Sequence, residues 1–207
     1  MMAVSPLTRS SQRDVPACCA DCVFWQGLRG TSDARRKDEW ARDVEARFGA
    51  YGRVLWEGDD FRGVLQYGPV AAFPRAQVLP AGPPDSQSAL ITCLLVAGDD
   101  PVGTYERLLL EALADLKARR FPAAEAFAIA AGTGDTPLEQ RVVGHHTLLD
   151  EEVLVGLGFT PVRTRGQVSL MRLPLGGLIT APRTTAAARA RKLIGRLVPA
   201  SETPAPA

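Results

Sequence analysis

The sequence has no long uninterrupted apolar segment. No run approaches the roughly 18 to 20 residues that a membrane-spanning helix needs, so no membrane span is expected. The N-terminal stretch "MMAVSPLTRSSQRDVP" also lacks the apolar centre of a secretory signal. These two absences predict a cytoplasmic protein.

Charge of one sign is not in excess either. The chain carries 24 Lys and Arg against 23 Asp and Glu, for a formal net charge of +1 at pH 7. Such a balance produces no overall field that would recruit nucleic acid or an anionic membrane. No nucleic-acid partner is therefore expected.

Cysteine is scarce and badly placed for disulfides. Of the four cysteines, Cys18, Cys19 and Cys22 crowd into five positions, and Cys93 lies in an apolar run typical of a core strand. This arrangement does not fit a disulfide framework, and reduced thiols are predicted.

The Cys19-x-x-Cys22 spacing is shared by redox pairs and by half of a zinc site. A zinc site needs about two further ligands, and the sequence has no second Cys-x-x-Cys and only two histidines, His145 and His146. No metal is therefore expected, with Cys18, Cys19 and Cys22 as the candidate ligands if one binds. A packed thiol cluster and a lining of the substrate site are the alternatives for these cysteines.

The sequence does contain enough apolar material for one domain. Its 207 residues are 46% hydrophobic, which suits a single core. Residues 1–16 are polar and unpatterned and residues 199–207 are rich in Pro, Ala and Ser, so both are predicted to be disordered tails. Residues 17–175 form the predicted domain. The basic residues 176–198 are expected to form a helix that docks on this domain or on a partner.

Short β signals and one helix make up the first half of the predicted domain. "CVFWQG", residues 22–27, is β-prone and predicts a strand or turn. Trp40, Val44 and Phe48 recur every four residues, which indicates an amphipathic helix. Residues 51–69, with "EGDD" as the turn, predict a hairpin.

A βαβ unit is predicted in the middle of the chain. "SALITCLLVAG", residues 88–98, is an almost continuous apolar run, typical of a central strand covered on both faces. Residues 104–120 carry a leucine-rich helical face, and residues 123–132 predict a second buried strand. This order predicts a parallel strand pair. A short helix within residues 146–159 and a final hairpin over 160–175 follow.

The loop "DDPVGTYERLLLEAL", residues 99–113, leads from the first strand of this unit into its helix. The N–H groups at a helix N-terminus have no partner within the helix and favour an anion. Gly103 allows close backbone approach, and Thr104 can cap the helix. An anion site is therefore one interpretation of the loop, and a simple βα turn is the alternative.

The order of these parts resembles the GNAT (Gcn5-related N-acetyltransferase) family over residues 17–175. It is most similar to actinobacterial GNAT-like proteins that begin with Cys-x-x-Cys-Val-Phe-Trp, here residues 19–25, and carry Glu-Ala-Phe, here residues 125–127. The resemblance implies a GNAT fold of the α/β (α+β) class: a mixed, mostly antiparallel sheet with a central parallel strand pair, flanked by helices. It implies acetyl-CoA as acyl donor and a small-molecule or protein amine as acceptor. The oligomeric state is left open.

In that family the coenzyme loop resembles Arg/Gln-x-x-Gly-x-Gly/Ala, and its amides bind the pyrophosphate. Alignment on Gly103 puts Asp100 and Tyr105 at two signature positions. A carboxylate there would repel the pyrophosphate, and a tyrosine could crowd the coenzyme. The strand end would hydrogen-bond the pantetheine arm, and Arg107 would supply a compensating cation. The resemblance thus places acetyl-CoA against Leu95, Val96, Gly103, Thr104, Tyr105 and Arg107.

Amine acetylation needs a base for the ammonium proton and amides that polarise the thioester carbonyl. Glu125 and His146 are the candidate bases, and an outward-facing strand position is the alternative for Glu125. The segment around Phe159 lacks the tyrosine that GNAT enzymes often use as acid.

Three functions follow from these patterns. An acyl-CoA-dependent N-acyltransferase, acting by direct transfer, is the leading one. A catalytically degenerate GNAT-like binding or regulatory protein with an altered coenzyme loop is the alternative. A thiol- or zinc-dependent switch through Cys18, Cys19 and Cys22 is the third.

Overall fold

The computed structural model describes residues 2–130 and 136–177. In this part of the chain no helix is long and apolar enough to cross a membrane. Its α-helices, α1 to α5, are Ala17–Ala20, Ala34–Phe48, Pro101–Ala118, Leu138–Arg141 and Glu151–Gly156. Its strands, β1 to β9, are Met2–Pro6, Gly52–Glu57, Asp60–Pro69, Ala89–Val96, Ala123–Ile129, Gly144–His146, Leu149–Asp150, Thr160–Arg165 and Val168–Pro174.

The strands form one mixed sheet in the order β1-β2-β3-β4-β5-β9-β8. Along this path β4 and β5 are parallel, and every other neighbouring pair is antiparallel. The predicted mixed sheet with a central parallel pair is thus confirmed. So are the hairpin of β2 and β3 and the final hairpin of β8 and β9.

A β-bulge interrupts β4 at its centre. On β3, Leu65 lies opposite Leu94 and Tyr67 opposite Ile91, so Gln66 alone faces two residues of β4. A bulge bends its strand and ends regular pairing. The parallel pairing with β5 accordingly stops at Ile91, opposite Ala126.

Past the bulge, β4 and β5 diverge and the opening between them is filled by a later segment. β6 pairs antiparallel with residues 94–96 of β4. β7 pairs parallel with Ala128 and Ile129 of β5. The sequence did not predict β6 and β7, because strands of three and two residues are too short to show an alternation of apolar and polar residues.

Helix α3 covers one face of the sheet, as the leucine pattern predicts. Its buried positions join Leu65, Ile91 and Val96 in the largest apolar cluster. Near the end of the helix, Asp115 and Arg119 form an ion pair at 2.8 Å. The buried residues of the helix are Thr104, Tyr105, Leu108, Leu109, Ala112, Leu113 and Leu116.

Helix α2 and the segment before it cover the opposite face. Val44 is buried, and Trp40 and Phe48 pack against the core, as predicted. Of the two predictions for residues 22–27, the turn is confirmed, since residues 24–26 form a turn and only Cys22 makes an isolated bridge, with Ser32.

The prediction that residues 1–16 form a disordered tail is also wrong. β1 pairs with β2 along five residues. Met2 and Val4 pack against the core, and Leu7 is buried. Strand pairing satisfies the backbone groups of β2, which would otherwise form an exposed sheet edge. Apart from Gly176 and Gly177, the predicted basic helix (176–198) and the tail (199–207) lie outside the described residues.

Gly63 of β3 lies where the sheet meets the start of α3, and it provides a test of this packing. A Cβ at Gly63 would lie 2.7 Å from the Leu95 carbonyl oxygen and 3.0 Å from Thr104 Cγ2. We expect Gly63→Ala to cost about 1–3 kcal/mol of unfolding free energy, because neither the strand nor the helix can move freely. Thermal melting should show a fall of about 5 °C.

Gly156 is the matched control, since a Cβ there meets no atom within 4 Å. Gly156→Ala should leave the melting temperature unchanged or raise it slightly, because alanine favours the helix by up to about 1 kcal/mol. Equal melting temperatures for the two variants would contradict the packing described for Gly63.

Candidate functional site

The start of α3 is capped by a side chain of its own loop. Asp100 is the N-cap residue, and its Oδ1 accepts a hydrogen bond from the Gly103 N–H at 3.0 Å. The expected cap by Thr104 is therefore wrong: Thr104 lies inside the helix and is buried. The amide that the resemblance assigns to a pyrophosphate already has a carboxylate partner.

Tyr105 does not face the coenzyme loop but packs into the core. It is fully buried, and its Oη accepts a hydrogen bond from the Asp150 N–H at 2.8 Å. Burial raises the pKa of Tyr105, so its hydroxyl is protonated at neutral pH. The residue thus links α3 to the start of α5, and the expectation that it crowds the coenzyme stays a prediction.

The other predicted coenzyme residues are spread over two places. Leu95 and Val96 form the end of β4, where β6 pairs with them through His145 and Gly144. Arg107 lies nearly two turns into α3, with its Nη1 3.6 Å from Met2 Sδ. The structure therefore brings the end of β4 and Gly103 of α3 close together, and β6 pairs with that end of β4.

A buried polar group lies on the opposite face of β4, around the bulge. The Lys37 Nζ donates a hydrogen bond to Gln66 Oε1 at 2.6 Å, and only 2% of this lysine is exposed. Thr92 Oγ1 donates to the Gln66 carbonyl at 3.1 Å. Lys37 forms no ion pair with a carboxylate in residues 2–130 and 136–177. Burial lowers the pKa of Lys37, and nearby thiols oppose that shift.

The thiols beside Lys37 come from different parts of the chain. Cys22 and Cys93 are buried, and their Sγ atoms lie with a ring nitrogen of His145 in one group whose ligand atoms are all within 4.8 Å of one another. Hydrogen bonds from Cys93 and His145 lower the pKa of Cys22 to about 4. The hydrogen bond to Cys22 and burial raise the pKa of Cys93.

The predicted cluster of Cys18, Cys19 and Cys22 is only partly formed. Cys18 is exposed, Cys19 is partly buried and Cys22 points inward. A cavity of about 20 Å³ borders Cys19, Cys22 and Cys93, large enough for one water molecule. Sequence spacing alone could not indicate Cys93 or His145, because both reach the group through sheet register.

Glu125 is a buried partner of an ion pair. It is 1% exposed, and its carboxylate accepts hydrogen bonds from Arg172 Nη1 at 2.9 Å and from the Asp85 N–H at 2.8 Å. Burial raises the pKa of Glu125, and the contacts with Asp85 N–H and Arg172 oppose this. The alternative of an outward-facing position is therefore wrong, and the carboxylate fastens the loop at Asp85 to β9.

His146 lies on the α3 side of β6. Its Nε2 is 3.1 Å from the Val143 carbonyl oxygen, and its ring meets Tyr105 edge to face. With Nε2 donating to that carbonyl, Nδ1 is left as a proton acceptor. His145 and His146 thus point toward different neighbours, although they are adjacent in the chain.

No protein-family model matches the chain, and no curated protein matches it. Several solved structures are similar to the chain. An N-acetyltransferase from Staphylococcus aureus Mu50 is 11% identical, with a TM-score of 0.53 over 84% of this chain and 99% of that one. The structure of yncA from Salmonella typhimurium with its cofactor acetyl-CoA is 13% identical, with a TM-score of 0.54 over 89% and 99%.

A third similar structure is the ribosomal-protein-S18-alanine N-acetyltransferase from Escherichia coli. It is 12% identical, with a TM-score of 0.50 over 89% of this chain and 100% of that one. At these identities the likeness shows the fold alone. The chain has the GNAT fold that the resemblance implies.

The cap at Asp100 gives a direct prediction. Asp100→Ala should lose about 1 kcal/mol of unfolding free energy, because the Gly103 N–H loses its acceptor. Asp100→Asn should retain most of that stability, since asparagine caps helices equally well. Urea unfolding followed by circular dichroism measures both, and equal losses in the two variants would argue against the cap.

Proposed function

We propose that the protein is an acyl-CoA-dependent N-acyltransferase that passes the acyl group directly from the thioester to an amine. The observation that carries this proposal is the divergence of β4 from β5 at the bulge, directly beside the N-terminus of α3. The similar fold of yncA, solved with its cofactor acetyl-CoA, supports it. A small molecule or a protein can supply the amine.

The chain offers groups for the pyrophosphate and the pantetheine arm of acetyl-CoA, but these groups have internal partners. The Gly103 amide and the positive end of α3 would bind the pyrophosphate once the Asp100 carboxylate turns away. The edge of β4 at Leu95 and Val96 would bind the pantetheine arm once β6 leaves it. The coenzyme supplies the activated acyl group; the protein binds and orients it.

Release of β6 is physically reasonable because its attachment is small. Three residue pairs join it to β4, at Leu94, Leu95 and Val96. None of the three β6 residues is buried. Loss of so few pairs costs much less than disruption of the β3–β4 ladder or of the α3 core.

Proton removal from the amine needs a base within reach of the opening. His146 is the last residue of β6, opposite Leu94, and would stay near the opening beside Tyr105 when Gly144 and His145 leave Val96 and Leu95. Its Nδ1 is the free acceptor when Nε2 donates to the Val143 carbonyl. Glu125 is held by Arg172 and by the Asp85 amide, so its protonation would break an ion pair. We therefore place His146 ahead of Glu125 as the base of the proposed reaction.

The same contacts favour one second function, a GNAT-like binding or regulatory protein without turnover. Here Asp100 and β6 would be permanent substitutes for the coenzyme's pyrophosphate and pantetheine arm. The two functions differ in whether these internal partners give way to acetyl-CoA.

Calorimetric titration with acetyl-CoA tests the proposal. We expect the wild-type protein to bind at submillimolar coenzyme, and Asp100→Asn to bind about 3- to 10-fold more tightly, because it removes one negative charge beside the pyrophosphate site. Asp100→Asn is suitable because it keeps the helix cap. Activity on a panel of amines then follows from release of free coenzyme A.

Two results would count against the enzyme. Absence of binding at millimolar acetyl-CoA for both proteins would show that the opening stays filled. Binding without turnover on any amine would support the regulatory function. Arg35→Lys, at an exposed position of α2, is the control for general effects of a surface substitution on folding.

A further inference from the structure

Cys22, Cys93 and His145 meet although they are far apart in the sequence. Cys22 is held by its bridge to Ser32. Cys93 lies in the β4 bulge, and His145 pairs with Leu95, two residues farther along the same strand. The group therefore joins the segment before α2, the centre of the sheet and β6.

We propose that Cys22, Cys93 and His145 bind a zinc ion. Their ligand atoms all lie within 4.8 Å of one another, and no cysteine of the described chain is in a disulfide. Tetrahedral zinc, with bonds of about 2.3 Å to sulfur and about 2.0 Å to nitrogen, places its ligand atoms roughly 3.5–3.8 Å apart. Small side-chain rotations would bring the three ligand atoms from their present separations, of up to 4.8 Å, to these shorter distances.

The types of ligand atom in this group indicate which metal would bind. Two thiolates and one imidazole suit zinc, whereas magnesium and calcium prefer oxygen ligands. Zinc would bind both cysteines as thiolates, with the thiol proton of Cys93 released to solvent, and His145 would donate a lone pair from its neutral ring. The resulting site is electrically neutral, which suits the burial of its two cysteines.

The fourth position has room for water. The cavity of about 20 Å³ borders both cysteines and holds one water-sized ligand. Lys37 and Gln66 also line it, so that ligand would have polar neighbours. Three protein ligands with one open position are typical of zinc sites that keep a water.

Zinc would add a bond between three elements of the fold. Through His145 it would fasten β6 to β4, and through Cys22 it would fasten the segment before α2 to the sheet. This proposal depends only on side-chain placement, and zinc held through His145 would oppose the release of β6 that the proposed binding of acetyl-CoA requires. A protein that fails to bind acetyl-CoA could still bind zinc.

Metal analysis of protein purified without chelators tests the site. We expect about one zinc per chain in the wild type, and less than about a tenth of that in Cys93→Ser and His145→Gln. Cys18→Ser and His146→Gln are matched controls and should keep their zinc, since Cys18 is exposed and His146 is not in the group. Loss of zinc equally in ligand and control variants would overturn the ligand assignment.

The wild-type protein alone provides a second measurement, which does not depend on the folding of any variant. Chelator treatment should lower its melting temperature by about 5 °C or more, and Zn²⁺ should restore it. Co²⁺ added to the chelated protein should give the thiolate and d–d absorption bands of a tetrahedral site. No cobalt spectrum and an unchanged melting temperature would overturn the proposal.

Discussion

The β-bulge opposite Gln66 is the constraint on which the rest of this structure depends. One residue of β3 faces two of β4, so the second half of β4 turns away from β5 and the parallel ladder ends at Ile91. The same distortion places Thr92 against the Gln66 carbonyl and directs Cys93 toward Cys22. The opening in the sheet and the thiol group thus have one origin.

An opened sheet leaves backbone groups that need partners. Unpaired strand edges within a fold are costly, and here β6 and β7 pair with the two diverging strands. At the adjoining helix start, Asp100 satisfies the Gly103 amide in the same way. In the proposed acyltransferase, Asp100 and β6 would have to give way for acetyl-CoA to bind.

Much of the fold could be predicted because its signals are local. The apolar run of β4, the leucine face of α3 and the turn between β2 and β3 each lie within one short stretch. β1 was not predicted because its five residues show no clear alternation and gain their partner only from β2. Residues 22–27 look like a strand, but Arg75 bonds to the Phe24 and Trp25 carbonyls, which removes them from a ladder.

The sequence by itself determined the central βαβ unit, the helical faces and the departures at Asp100 and Tyr105, because periodicity and residue type decide these locally. Only the tertiary structure decided the roles of the two residues that differ from the GNAT loop pattern: Asp100 caps its helix, and Tyr105 supports the start of α5. Only the tertiary structure shows that Cys18 is exposed, whereas Cys22 is buried beside Cys93 and His145. Such groups depend on strand register and on the bulge, and neither can be read from spacing along the chain.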